Sequence, residues 1–355
     1  MTLDNYRKEK ISIEVIKTLV TKFADFPDEE VSNRNAPFHE AFLRAFAEKF
    51  DGKVTDASIL ISLSSWLHGL NTRLGQSFFE KVAHILCDGE KLEYTSKKLG
   101  NEKISQKQRN NVDTIIRNLS NKNAAPNLVA ENSLLFRQDE TELVNAIDFS
   151  VDVFFERDRD IVAIELKTVQ PNSGGSMGEK QKILEGKAAL YRLFPDKQIH
   201  FYLGFPFDPT VNPETASVTS FNKTRFVQSI VNLDKFFDQQ EILLASDLWD
   251  FLSEQPQTME SILEIINTIA TTSFMEEFRL LNENSKRQTN EYKAQLLKWN
   301  LFSELELVEK DTHIRTNIAN NKKLQNTYRK KPFDNQGNYQ KERFDALKKL
   351  LDNST

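Results

Sequence analysis

At 355 residues the chain can form one large domain or two ordinary ones, and a hydrophobic content of 39% with 26 Phe provides a core that needs no disulfide or metal staple. Its one cysteine, Cys87, excludes an intramolecular disulfide framework and a thiolate zinc site, and it suits a reducing cytoplasm. The formal net charge of -5 is unevenly spread: Thr95 to Asn123 holds seven Lys and Arg against Glu102 and Asp113, and His313 to Lys349 holds ten against Asp334, Glu342 and Asp345. Such asymmetry fits either basic arms around an acidic body or solvated helix faces. The charged start, Met1 to Lys10, argues against a signal peptide, and no run of 18 apolar residues is available to span a bilayer, so a cytoplasmic protein without membrane contact is expected.

The first hundred residues read as helical. Phe38, Phe42, Phe46 and Phe50 recur every fourth residue, which predicts a helix with one buried aromatic stripe. Gly75 to Leu86 repeats the pattern with Phe78, Phe79, Val82, Ile85 and Leu86 inward, and Glu80 and His84 four apart beside them. Ile104 to Leu119 reads as a basic amphipathic helix with Ile104, Val112, Ile115, Ile116 and Leu119 inward. The period then changes to two. Ala146 to Phe155 and Ile161 to Thr168 alternate polar and apolar residues around the charged turn ERDRD, which predicts a β-hairpin. A loop from Gln170 to Gly175 leads to Ser176 and Glu179, spaced as a capping box for a helix running to about Phe194. Gln198 to Phe205 is a further strand stopped by Pro206 and Pro209, and from Glu241 onward the pattern is helical again. Strand, strand, helix, strand makes an α/β core. In the last stretch Phe344, Leu347, Leu350 and Leu351 share one helix side, which fits a dimer contact as well as a DNA-facing arm.

The hairpin holds the chemistry. With its turn near Asp158 and Arg159, Asp152 falls opposite Glu165 on one face, and Lys167 shares that face. The opposite face, Phe149, Val151, Val153 and Phe155 with Val162, Ile164 and Leu166, is wholly apolar. Two carboxylates whose Cβ atoms stand roughly 5 Å apart repel by a few tenths to about 1 kcal/mol, which folding alone does not favour. A hard divalent cation converts that repulsion into a ligand set, because Mg²⁺ takes one or two carboxylates and leaves room for phosphate oxygens. Lys167 beside them can orient an attacking water or stabilise charge developing on phosphorus, and the residue types leave both roles open. Asp148 competes with Asp152 for the ligand role. The five histidines are scattered, and no zinc-protease, nucleophile-elbow or phosphate-loop motif is present, which disfavours an ATP-driven enzyme.

Asp152 followed by Glu165-Leu166-Lys167 resembles the PD-(D/E)xK nuclease signature, with Val151 where that signature has proline. The blocks IELKTVQPNSGGSMGEKQKILEGKAALYRLFPD (Ile164 to Asp196), LNTRLGQSFFEKVAHIL (Leu70 to Leu86) and ILLASDLWDFL with TMESILEIINTIAT (Ile242 to Thr271) are more specific, and together they resemble the TdeIII family of type II restriction endonucleases. The resemblance implies a restriction-endonuclease-like α/β fold, a mixed central sheet flanked by helices, with helical additions at both ends. It further implies Mg²⁺-dependent cutting of double-stranded DNA at a short, interrupted palindrome of GGNCC type by a homodimer, with a companion methyltransferase acting on the same site.

Within that frame, residues 1–130 are expected to form a mainly helical N-terminal region with a basic helix near 104–120. Residues 131–275 are expected to form the nuclease core with its hairpin at 146–168, and residues 276–355 a charged helical extension. The expected metal ligands are Asp152, Glu165, Glu80 and Asp148. Lys167 is expected to act at the phosphate, with Gln181 beside it. Lys103, Lys107 and Arg109, together with Lys180 and Lys182 in the first turn of the capped helix, are expected to contact the DNA backbone. Two alternatives share these features: a repair or branch-specific nuclease with the same core, and a non-catalytic DNA-binding or scaffold protein.

Overall fold

A computed structural model describes residues 3–27, 57–137, 142–168, 175–212 and 214–352. The expected helix Phe38 to Phe50 and most of the loop Gln170 to Gly175 lie outside these residues. The strands are β1 (Glu90–Tyr94), β2 (Lys103–Ser105), β3 (Leu143–Asn145), β4 (Phe149–Arg157), β5 (Asp160–Leu166), β6 (Gln198–Phe205) and β7 (Ile242–Leu244). The helices up to the last strand are α1 (Asn5–Ala24), α2 (Ala57–Arg73), α3 (Phe79–Cys87), α4 (Gln106–Ser120), α5 (Leu128–Leu135), α6 (Gly175–Leu193), α7 (Lys223–Ser229) and α8 (Leu233–Phe236). Beyond it come α9 (Ser246–Ser253), α10 (Thr258–Ile269), α11 (Phe274–Leu281), α12 (Asn290–Lys298), α13 (Phe302–Glu309), α14 (Asp311–Ile318), α15 (Lys322–Arg329) and α16 (Lys341–Asp352). Two compact units result: one of residues 79–261 with Leu3, the other of the described parts of 4–78 and 262–355.

The first unit is built on a mixed five-stranded sheet in the order β1-β4-β5-β6-β7. β4 pairs antiparallel with β1 on one side and β5 on the other, whereas β5, β6 and β7 run parallel. The β4–β5 hairpin turns at Asp158 and Arg159, with Arg157 opposite Asp160 and Val153 opposite Ile164. Asp158 takes a φ of 52°, the left-handed conformation that Asp tolerates in tight turns. Helices cover both faces of β5, which explains the near-continuous apolar run IVAI where a half-exposed strand would alternate. On one face α6 lies close: a Cβ at Gly186 would stand 2.7 Å from the ring of Phe201 and 3.3 Å from Phe149. On the other, Phe155 packs on Phe251 of α9, Phe79 of α3 packs on Trp249, and a Cβ at Gly204 would meet Ile164, Leu166 and Leu248.

Several local expectations change. Ile104 belongs to the strand β2, and Ser105 caps α4 with a capping box to Gln108, so the basic helix begins two residues later, at Gln106, while Val112, Ile115 and Leu119 stay buried. Ser176 is already the second residue of α6, and its hydroxyl donates to the Val231 carbonyl at 3.2 Å instead of capping the helix. β1 and β7 fall in stretches that read as helical. They are short edge strands of five and three residues, too brief to show a period of two.

Charge, not apolar area alone, seats α6. Lys180 and Lys187 are fully buried, with Lys180 Nζ 2.6 Å from both Glu131 and Glu241 and Lys187 Nζ 2.8 Å from Glu241. Burial alone would raise the Glu241 carboxyl, but the two ammonium groups outweigh it and hold it below the usual range. Burial pushes Glu131 up and Lys187 down.

The second unit is helical. Phe274 stacks on Phe23 of α1 at 5.5 Å and on Trp299 at 5.4 Å, and the indole of Trp66 in α2 donates to the Lys22 carbonyl at 3.0 Å. Leu347 and Leu351 of α16 are buried with Leu307, Ile314 and Ile318, and Phe344 and Leu350 pack against the same cluster. That side of the tail is therefore covered by its own chain and is not a face for a second copy. Arg343 of α16 is buried against Glu304 in a pair at 2.7 and 2.9 Å. No helix among the described residues is long and apolar enough to cross a membrane.

The buried four-charge cluster makes a stability test. Glu241→Ala leaves two ammonium groups facing Glu131 alone, and equilibrium denaturation is expected to show a loss of about 3–5 kcal/mol, the range for breaking a buried pair from one side. A loss below ~1 kcal/mol, no more than an exposed pair gives, would contradict this role.

Candidate active site

The register that pairs Val153 with Ile164 makes Asp152 and Glu165 the next residues along the two strands, as the alternation pattern requires. The ladder opens there. The Asp152 side chain turns across the gap, and its Oδ2 accepts the Leu166 backbone N–H at 2.9 Å, so it is tied to the residue that follows Glu165. Its Oδ1 accepts from Lys91 Nζ of β1 at 3.0 Å, and the same ammonium donates to Glu80 Oε2 of α3 at 2.8 Å. His84, one turn after Glu80, brings its Nε2 to 2.7 Å from the Asp152 carbonyl. The Glu80 and His84 spacing thus fastens α3 to β4 at Asp152, His84 at its backbone carbonyl and Glu80 at its carboxylate through Lys91.

Glu165 is 6% exposed. Its Oε1 accepts from Lys167 at 2.9 Å and from Lys182 at 3.1 Å, and its Oε2 is buried without a partner. Lys167 also stands 3.0 Å from Glu179 of α6, and Lys182 stands 3.6 Å from it. Burial would lower the Lys167 pKa, but Glu165 and Glu179 outweigh it and raise it, so the side chain is an ammonium. The same balance, burial against the carboxylates of Glu80 and Asp152, raises Lys91. The expected repulsion between Asp152 and Glu165 is therefore answered by three lysines, one near Asp152 and two near Glu165.

The remaining expected residues divide. Glu80 joins Asp152 through Lys91, and Lys182 joins Lys167 at Glu165. Gln181 is half-buried between Lys180 and Lys182 on α6. Asp148 precedes β4, and its carboxylate accepts from Asn101, apart from the Asp152 contacts. Among the described residues no group of three or more His, Cys, Asp or Glu is placed to hold a metal ion, so the four expected ligands are not gathered into one cluster. Lys180 is 0% exposed and bound to Glu131 and Glu241, which removes it as a phosphate contact: a lysine in the first turns of a helix is solvated only if its face is, and this face is core. Arg109 reaches inward, to the buried Glu185 at 3.0 Å and the Asn145 carbonyl at 2.6 Å, whereas Lys103 and Lys107 are exposed. Sequence reasoning misses Lys91. It lies 61 residues from Asp152 on an edge strand, and only its proximity to Glu80 in sequence hints at it.

The type II restriction endonuclease family of HinfI matches residues 3–270 of the chain. The type II restriction enzyme MjaII of Methanocaldococcus jannaschii is 42% identical over 315 residues, covering 84% of this chain and 83% of that enzyme. No solved structure matches. The chain belongs to the HinfI family of type II restriction endonucleases, and as such it is a site-specific deoxyribonuclease that acts on double-stranded DNA.

The Lys91 bridge yields a direct check. Lys91→Met leaves Glu80 and Asp152 without their shared cation, and because all three groups are partly exposed and screened, the expected loss in metal-free buffer is modest, about 1 kcal/mol. Added Ca²⁺ is expected to raise the melting temperature of Lys91→Met more than that of the parent protein. Equal shifts in a thermal melt would show that Lys91 does not hold those carboxylates together.

Proposed function

We propose that the chain cuts both strands of a short interrupted palindrome in a Mg²⁺-dependent reaction, with the β4–β5 hairpin as a PD-(D/E)xK centre. The observation that carries this reading is Glu165, nearly buried, with one oxygen held by two lysines and the other left without a partner. A buried carboxylate oxygen of this kind is costly to folding and suited to a cation. Asp152 and Glu165 are the residues that would hold Mg²⁺, with Glu80 as a further oxygen donor, in keeping with an ion that uses one or two carboxylates and keeps its waters. Bound there, the ion supplies Lewis acidity toward a phosphoryl oxygen and makes water a stronger nucleophile at neutral pH.

The side chains do the rest. Lys167, paired with Glu165 and Glu179, stabilises negative charge on the scissile phosphate. Lys182 supports the same charge from α6, and Gln181 beside it orients the phosphate. Lys103 and Lys107 contact the DNA backbone, and Arg109 sets the position of α4 through Glu185. The motif blocks around Glu165, Glu80 and α9 to α10 support a narrower kinship with TdeIII enzymes, and with it a GGNCC-like site. A symmetric site is most simply read by a homodimer, working in the cytoplasm beside a methyltransferase of the same specificity.

Unmethylated linear plasmid incubated with Mg²⁺ is expected to give discrete bands, and a smear or uncut DNA would sink the reading. Asp152→Ala and Glu165→Ala are expected to abolish cutting. Lys167→Ala is expected to retain specific binding in Ca²⁺ yet cleave at least ~10²-fold more slowly in single-turnover assays. Asp148→Ala is expected to keep substantial activity, and an inactive Asp148→Ala beside an active Asp152→Ala would reverse the choice of aspartate. Lys103→Ala with Lys107→Ala is expected to weaken binding on all sequences and to reduce the salt slope by about 0.9 for each phosphate that is no longer neutralised.

A further inference from the structure

The second unit contains a cavity of about 510 Å³ bounded by Asn284, Arg287, Arg315, Gln325, Tyr328 and Arg329. Three guanidinium groups share it. Arg287 is 5% exposed, donates to the Tyr328 carbonyl at 2.9 Å, and leaves its Nε buried without a partner. The guanidinium carbons of Arg287 and Arg315 stand 5.0 and 5.5 Å from the centre of the Tyr328 ring, which fixes both against one aromatic side chain. No acid is among the lining residues; Asp311 pairs with Arg315 at 2.7 Å and accepts the Tyr328 hydroxyl, the buried Glu304 acts on Arg287 while paired with Arg343, and Glu283 is engaged by Ser285. Two carboxylates, one of them already paired with Arg343, do not balance three arginines. Lys322 and Lys323 open α15, Lys330 and Lys331 follow it, and no Asp or Glu occurs from Thr312 to Phe333.

We propose that this cavity is a phosphate site that takes a phosphodiester of the DNA backbone. The forked, permanently charged donors of arginine match phosphoryl oxygens, and the volume lies in the range of small-ligand pockets. The residues involved, 284 to 329, lie beyond the part of the chain that the HinfI family matches, and none of them belongs to the Asp152 and Glu165 centre. The proposal rests on the DNA-binding reading only for the source of the phosphate. A free phosphorylated metabolite offers the same chemistry.

The test uses the full chain with Arg329→Gln alone and with Arg315→Gln added, both residues being exposed enough to change without opening the core, and thermal melts confirm folding. Calorimetric titration with inorganic pyrophosphate in metal-free buffer reads the cavity itself, and duplex binding in Ca²⁺ across a salt series reads its use on DNA. The double variant is expected to bind pyrophosphate at least tenfold more weakly, and to lower the slope of log affinity on log salt by about 0.9, the value for one neutralised phosphate. Unchanged pyrophosphate binding, or none in the parent protein, overturns the site. Loss of pyrophosphate binding with an unchanged salt slope overturns the DNA assignment and gives the cavity to a free phosphate compound. Both readouts are independent of catalysis, so a failure of the proposed Mg²⁺ centre would appear in cleavage of the parent protein and leave them unaffected.

Discussion

α6 carries charged residues onto the face of a β-sheet, and the first unit is arranged to neutralise them. Glu179 and Lys182 meet Lys167 and Glu165; Lys180 and Lys187 meet Glu131 and Glu241; Glu185 meets Arg109 and the Ile147 N–H. Each pairing draws in a different element: β5 through Glu165, α5 through Glu131, the entry to β7 through Glu241, and α4 through Arg109. An unpaired charge at these depths would cost several kcal/mol, so the helix cannot slide or rotate without breaking more than one pair. The position of the Glu165 carboxylate next to Lys167 and Lys182 follows from that fixed seating.

Two kinds of charge environment therefore coexist within one helix. Toward the β7 side the ions are buried and held in pairs at 2.6 to 2.8 Å, which suits a structural pin. Toward Glu165 one oxygen has no partner, the lysines are partly exposed, and each carboxylate is answered by ammonium groups that can change partners. Lys91 plays the same part on the far side of Asp152. Such local imbalance is where a protein departs from optimal packing in favour of binding.

The hairpin is legible in the sequence because β4 sustains a period of two, β5 is a short apolar run ending in Glu165, and the turn between them is two residues long, which leaves a single register for Asp152 and Glu165. The flanking helices are legible from their apolar stripes. β1 and β7 are not, since short edge strands carry too few residues to show a period, and with β1 goes Lys91. Lys180 escapes for a physical reason: spacing from a supposed cap describes where a helix begins, but not which of its sides meets the sheet. The kinship to restriction endonucleases rests on motif blocks that include Glu80, Glu165 and Lys167, and it stands at the level of the HinfI family. What spacing cannot supply is the division of ion pairs, because nearly all of them close between elements remote in sequence.

The ends of the chain are interlocked in a way that bears on synthesis. Glu9 in α1 accepts from the backbone and hydroxyl of Ser303, 294 residues later, and Phe23 stacks on Phe274. At ribosomal speeds of about 5–20 residues per second, α1 waits on the order of 15–60 s for these partners. All strands of the sheet, and every residue of the Asp152 and Glu165 centre, emerge during that interval. The nuclease sheet can therefore assemble co-translationally before the helical unit closes on Phe274 and Ser303, and an amphipathic α1 left exposed meanwhile is the segment on which a chaperone would act.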